Sequence, residues 1–280
     1  MRVTERVKVS YNKYWDVVEF NNLNEYIKYI EETPTNKTFD DGDYLSSKRV
    51  ERGNYNWRGT KTYKEAKELM KSGWTVGAEK LTQKLKIAEA NKQVDTVYKN
   101  ILSMAGYQAI VPLYLQGVPN CMVNKKPVKI KNKVITINRV MVASASVSSE
   151  TLMDESIKCF QIIKKIESAG YRVNLNLIMS NGYGCIKVRL KSASEKLNIS
   201  KLAFPLIHPA MFRRMFFRFI EVYPTMPTNY RYTYGSVPSE SEFKAMCPKG
   251  EIILPTLLKG HTEDEIVRLS IDELIGRFGN

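Results

Sequence analysis

Between Val134 and Lys191 the spacing of apolar residues changes period several times, and few folds accommodate that succession. "VITINRVMVA" alternates as a strand entering a core does. "ETLMDESIKCFQIIKKIESAG" then sets Leu152, Ile157, Phe160, Ile163 and Ile166 on one helical face and ends at Gly170. "YRVNLNLIM" returns to strand, "SNGYG" turns, and "CIKVRLK" alternates Ile186, Val188 and Leu190 with Lys187, Arg189 and Lys191, a pattern of one buried and one wet face. Strand, helix, strand, strand and a further helix predict a three-layer α/β domain with a mixed sheet. "KNK" between "VKI" and "VITINRVMVA" predicts a hairpin whose second arm enters the core. Later, "EIILPTLL" reads as a buried strand, and a capping box from Thr262 to Glu265 opens a last helix.

The preceding residues read differently. "NNLNEYIKYIEET" places Leu23, Tyr26, Ile27 and Ile30 at helical spacing, and "TYKE" announces a helix over 63–72, with Thr62 as cap, Glu65 reaching back and Gly73 as terminator. Trp57 and Trp74 flank that helix and are expected to pack it. The expected organisation is a mainly helical region over 1–120 and an α/β domain over 121–280.

The stretch "HPAMFRRMFFRF", residues 208–219, holds one of two histidines beside three arginines and four phenylalanines. On a helical wheel His208, Met211, Phe212, Met215, Phe216, Phe219, Val222 and Tyr223 share one stripe, and Arg214, Arg218 and Glu221 lie on another side. That pattern predicts a core stripe, Pro209 at the first helical position and a solvated arginine edge with an Arg218–Glu221 pair.

Composition bears on function through charge. The 280 residues carry 43 Lys+Arg against 29 Asp+Glu, a net +14, which favours a polyanionic partner. Cations cluster: Lys125, Lys126, Lys129, Lys131, Lys133 and Arg139 fall in a stretch, Asn120 to Val142, without one acidic residue. Set beside Lys187, Arg189 and Lys191, and with Arg213, Arg214 and Arg218 on a helix edge, they form the expected nucleic-acid-binding surface, gripping DNA or RNA by its backbone. Plain solvation of exposed strands explains the same lysines. The four cysteines have no C-x-x-C spacing and read as reduced thiols, and no apolar run approaches a membrane span, so no membrane partner is expected.

Catalytic material is sparse. His208 and His261 both fall at helix starts, no phosphate-binding glycine motif exists, "DDGD" at 40–43 lacks the ligand spacing of a calcium loop, and Asp154 with Glu155 suit a helix dipole. Neither an enzyme, a cofactor nor a metal site is expected. Two functions remain: a non-enzymatic nucleic-acid-binding accessory protein, or an adaptor or virion-assembly protein that docks other proteins.

"WRGTKTYKEAKELMKSGWTVGA", "VPLYLQGVPNCM", "ESIKCFQIIKKIESAGYRV" and "LNISKLAFPLIHPAMFRRMFF" together resemble an uncharacterised family of proteins encoded by tailed bacteriophages, over about Trp57 to Tyr223. The resemblance implies a phage origin, synthesis in a bacterial host and a place in the host cytoplasm or the virion. It brings no activity for any residue. The order of elements from Val134 to Tyr223 is also similar to the start of a von Willebrand factor A domain, whose metal site begins D-x-S-x-S. Here "VASAS" supplies Ser144 and Ser146 but Val142 in place of the aspartate, so that resemblance implies no metal.

Overall fold

The computed structural model describes residues 2–3, 7–10, 13–35, 55–89, 98–127, 134–142, 148–180, 184–223, 239–254, 273 and 276. Three strands open it: β1 (Arg2–Val3), β2 (Val7–Ser10) and β3 (Lys13–Phe20). Helices α1 (Leu23–Glu32), α2 (Tyr55–Arg58), α3 (Tyr63–Ser72) and α4 (Thr75–Glu89) follow. A small lobe comprises β4 (Tyr98–Ser103), β5 (Gln108–Ala109), α5 (Val111–Leu115) and β6 (Met122–Pro127). The central α/β run is β7 (Val134–Val140), α6 (Ser149–Ser168), β8 (Arg172–Ser180), β9 (Gly184–Lys191) and α7 (Ile199–Ile207). A π-helical stretch, Met211–Phe216, leads into α8 (Phe217–Val222), and α9 (Glu240–Met246) and β10 (Ile252–Leu254) come last.

The mixed α/β architecture expected from the apolar periods is present. The main sheet runs β1-β3-β9-β8-β7-β10, with β2 also on β3. β7 pairs β8 and β10 in parallel, β8 pairs β9 antiparallel, and β9 pairs β3 in parallel. Register gives each face its chemistry. Ile137 faces Leu175 and Val18 faces Ile186, building the apolar side, whereas Thr136 faces Asn174 and Asn138 faces Asn176 on the other. Helices α6 and α7 pack together, α6 against β8 and α1 against β3, and α9 lies on β2.

Two expectations are corrected here. β7 has parallel neighbours, β8 and β10, so "VITINRV" is no hairpin arm; β6, the strand before it, belongs to a separate sheet β4-β6-β5. The boundary at residue 120 does not divide the molecule either. β3 pairs with β9 inside the main sheet, and one core runs from Trp15 through Tyr63, Ile137 and Phe216 to Leu254. A strand whose partner is distant in sequence leaves no local mark of that pairing, which is why the first residues read as a helical unit.

Helix α3 forms at the expected bounds. Thr62 Oγ1 accepts from the Glu65 amide at 3.0 Å, Glu65 Oε2 accepts from the Lys61 amide at 2.7 Å, and Gly73 ends the helix at φ +92°. The helix expected from Thr262, the loop at 40–43, and Ser144 and Ser146 lie outside the described residues. Among the described residues no helix is long and apolar enough to cross a membrane.

Candidate nucleic-acid interface

The arginine edge expected on "HPAMFRRMFFRF" is corrected most strongly. Every residue from Leu202 to Tyr223 is buried, with Arg213 at 0% and Arg214 at 1% exposure. A helix enclosed on all sides has no solvated edge, and its charges need partners inside. They find backbone carbonyls. Arg213 Nη1 donates to the Trp57 carbonyl at 2.7 Å with its guanidinium 4.4 Å from the Trp57 ring centroid. Arg214 Nη2 donates to the Thr60 and Lys61 carbonyls at 2.7 and 2.9 Å. Arg218 donates to the Ile30 and Thr33 carbonyls and the Thr35 hydroxyl, and pairs with buried Glu221 at 3.6 Å. Burial pulls the Arg213 guanidinium down to about 10. These three side chains tie the helical stretch 211–222 to the end of α1 and to the chain entering α3, and none is presented to a phosphate.

His208 completes the same assembly. Its ring stacks on Phe204 and meets Trp74 edge-on, centroids 4.8 and 4.6 Å away, and Nδ1 accepts from the Ala210 amide at 3.1 Å. Gly59, at φ +80°, passes so close that a Cβ would lie 2.9 Å from His208 Cε1. Burial lowers the imidazole to about 4, so it is neutral and shut away from solvent near neutral pH. Trp57 and Trp74 are thus packing residues as expected, but against the central domain rather than within a helical unit of their own.

Among the strand cations, Arg139 is buried in β7 and Lys191 at the end of β9, where it bonds the Glu167 carboxylate at 2.7 Å and the Val173 carbonyl at 3.0 Å. Burial pushes the Cys159 thiol up to about 11, against the opposing pull of Arg139. Lys187 pairs with Glu251 at 3.3 Å. Arg189 Nε donates to Asn176 Oδ1 at 2.6 Å; Asn176 Nδ2 donates to Asn138 Oδ1, and Asn138 Nδ2 to Glu251 Oε2. Lys187 and Arg189 therefore join a polar ladder across the sheet instead of a wet face, and Lys191 turns to Glu167. Lys129, Lys131 and Lys133 lie outside the described residues, Lys126 is described by its backbone alone, and Lys125 is exposed.

Positive charge does gather at one concave place that the cation spacing did not indicate. The ends of β9 and α3 meet the starts of α1 and α7 around a cleft of ≈ 590 Å³. Its wall combines Lys71, Arg189, Lys191, Lys196 and Lys201 with one carboxylate, Glu195, and with the amides and hydroxyls of Asn21, Asn24 and Ser192. Asn22 and Asn198 cap α1 and α7, accepting from the Glu25 and Lys201 amides at 2.9 and 3.1 Å, so those donors are committed. The groups left around the cleft are side chains. Lys191 points to Glu167 and Glu195 accepts from the Ser192 amide, while Lys71, Lys196 and Lys201 are exposed. The four contributing elements are far apart in sequence, which hid the grouping.

The lobe is the second feature. In β4 and β6, Asn100 faces Lys125 and Leu102 faces Val123, so one sheet face carries all four side chains. Tyr107 lies over that face, its hydroxyl donating to Asn100 Oδ1 at 3.3 Å and Lys125 Nζ 5.2 Å from its ring centroid. Helix α5, "VPLYL", has no buried residue.

The chain belongs to the family described as a domain of unknown function, DUF7192, whose profile matches residues 6–276. No curated protein and no solved structure matches it.

Proposed function

We propose that this DUF7192 protein is a phage-encoded, non-enzymatic nucleic-acid-binding accessory protein, acting in the host cytoplasm in genome replication, expression or packaging. The cleft carries the reading: exposed Lys71, Lys196 and Lys201 surround it beside one carboxylate, Glu195, in a molecule of net +14. Lysines with amides and hydroxyls beside them are the groups that hold phosphate and sugar without reading sequence. The resemblance of the quoted phrases to tailed-phage proteins supports the origin.

Backbone recognition has a measurable signature. Affinity for nucleic acid falls linearly with salt on logarithmic axes, by about 0.9 per duplex phosphate contacted and about 0.7 per single-strand phosphate. Replacing Lys71, Lys196 and Lys201 together by Gln flattens that slope by about two to three units, and folding is unaffected because all three side chains are exposed. A triple variant with the parent's slope removes the cleft from the interface.

A further inference from the structure

We infer that the β4–β6 lobe is a platform for unpaired bases, so that the nucleic acid this protein holds is single-stranded. This rests on the reading above and adds its ligand form and a second contact site. The lobe reverses ordinary burial: Leu115 is 78% exposed, Met104 76% and Tyr114 67%, with Leu102, Tyr107 and Val111 each at least half exposed. Exposed apolar side chains in one small unit mark a surface that is covered in use. The charge around them narrows what covers it. No acidic residue occurs between Asp95 and Glu150, a span that includes Lys99, Lys125 and Lys126. The covering ligand therefore has apolar faces and a negative backbone at once.

A duplex does not meet that description, because its base faces are stacked inside and it presents phosphates and groove edges. An unpaired strand does: each base offers a π face to an aromatic ring and each linkage a phosphate to a lysine. The lobe brings an aromatic ring and a lysine together. The bond to Asn100 holds the Tyr107 ring over the sheet, Lys125 stands at its face, and Asn100 and Gln108 supply amides that can meet base edges. A second copy of this chain fits less well, since two acid-free cationic lobes repel each other.

The test compares a labelled oligo(dT) of about 20 nucleotides with a duplex of equal length, by anisotropy at fixed salt. The parent binds oligo(dT) more tightly than duplex. Changing Tyr107→Ser and Tyr114→Ser together weakens oligo(dT) binding at least roughly 30-fold and leaves duplex binding unaltered, whereas Tyr107→Phe with Tyr114→Phe keeps most of the oligo(dT) affinity. Denaturation midpoints serve as the folding control, since both tyrosines are exposed. If parent protein binds the two probes equally, or the serine variant binds oligo(dT) like the parent, the platform is disproved while the cleft reading stands on its own salt-slope test. If the parent binds neither probe at low salt, both readings fall. Binding of phosphatidylglycerol vesicles in place of oligo(dT), lost in the serine variant, assigns the lobe to a lipid surface and overturns the proposal.

Discussion

The helical layer from Leu202 to Tyr223 and the lobe from Tyr98 to Pro127 place charge and oil in opposite ways. In the first, three arginines and a glutamate lie in the interior; in the second, leucine, methionine, valine and tyrosine face water. Both depart from the usual sorting of side chains, for different reasons. The buried guanidiniums spend their terminal groups on carbonyls: Arg213 and Arg214 reach those of the segment entering α3 and Arg218 those at the end of α1, so the charge fastens distant pieces of chain together. The exposed apolar residues have no such internal explanation, because β4, β5 and β6 pair with one another and α5 buries nothing. The phrases "WRGT", "GW" and "HPAMFRR" meet at the first region, through Trp57, Gly59, Thr60, Trp74, His208, Arg213 and Arg214. What they share is a structural joint.

If that contrast is right, Arg214→Ala has the largest effect, costing on the order of 3 to 5 kcal/mol, because it opens a cavity and strips the Thr60 and Lys61 carbonyls of their donor. Chemical denaturation measures it. A cost below about 1 kcal/mol would mean the side chain is solvated after all.

Next comes His208. Its folded value of about 4 lies below the ordinary 6.5, so the unfolded chain binds the extra proton first as pH falls. Stability attached to the neutral ring is present above about pH 6.5 and is lost between there and about pH 4, by roughly 3 kcal/mol. His208→Gln lacks that proton site. Its difference from the parent therefore narrows by about that amount as pH is lowered from 7 to 4, and a constant difference across the range would refute the burial.

The smallest effect belongs to the lobe. Leu115→Ser is expected within about 0.5 kcal/mol of the parent, since nothing buried is removed. A loss of several kcal/mol in the same denaturation experiment would show that the lobe's apolar residues are part of a core and dissolve the contrast.

Local rules read well wherever neighbours in sequence are neighbours in space. Helix α3 with its Thr62 and Glu65 caps, the buried face of α1, and the strand–helix–strand–strand order from Val134 to Lys191 all followed from period and capping chemistry. Of the candidate interface, the exposure of Lys125 agreed with its place in an acid-free run, but the cleft was invisible, because Lys71, Arg189 and Lys201 come from three separate elements. Arg214 misled for the same reason. A helical wheel reports which residues share a side, and whether that side meets water depends on what else packs there.

The sequence by itself thus determined the alternation of strands and helices and the helix ends, since these depend on residues within a few positions of each other, and the overall positive charge. Tertiary structure alone decided that β3 joins β9, that the arginines of 213–218 lie inside, that Lys187 and Arg189 join a polar ladder, and that Leu115 and Tyr114 remain outside. Burial and pairing are properties of segments brought together from across the chain. Composition and period cannot encode which segment arrives where.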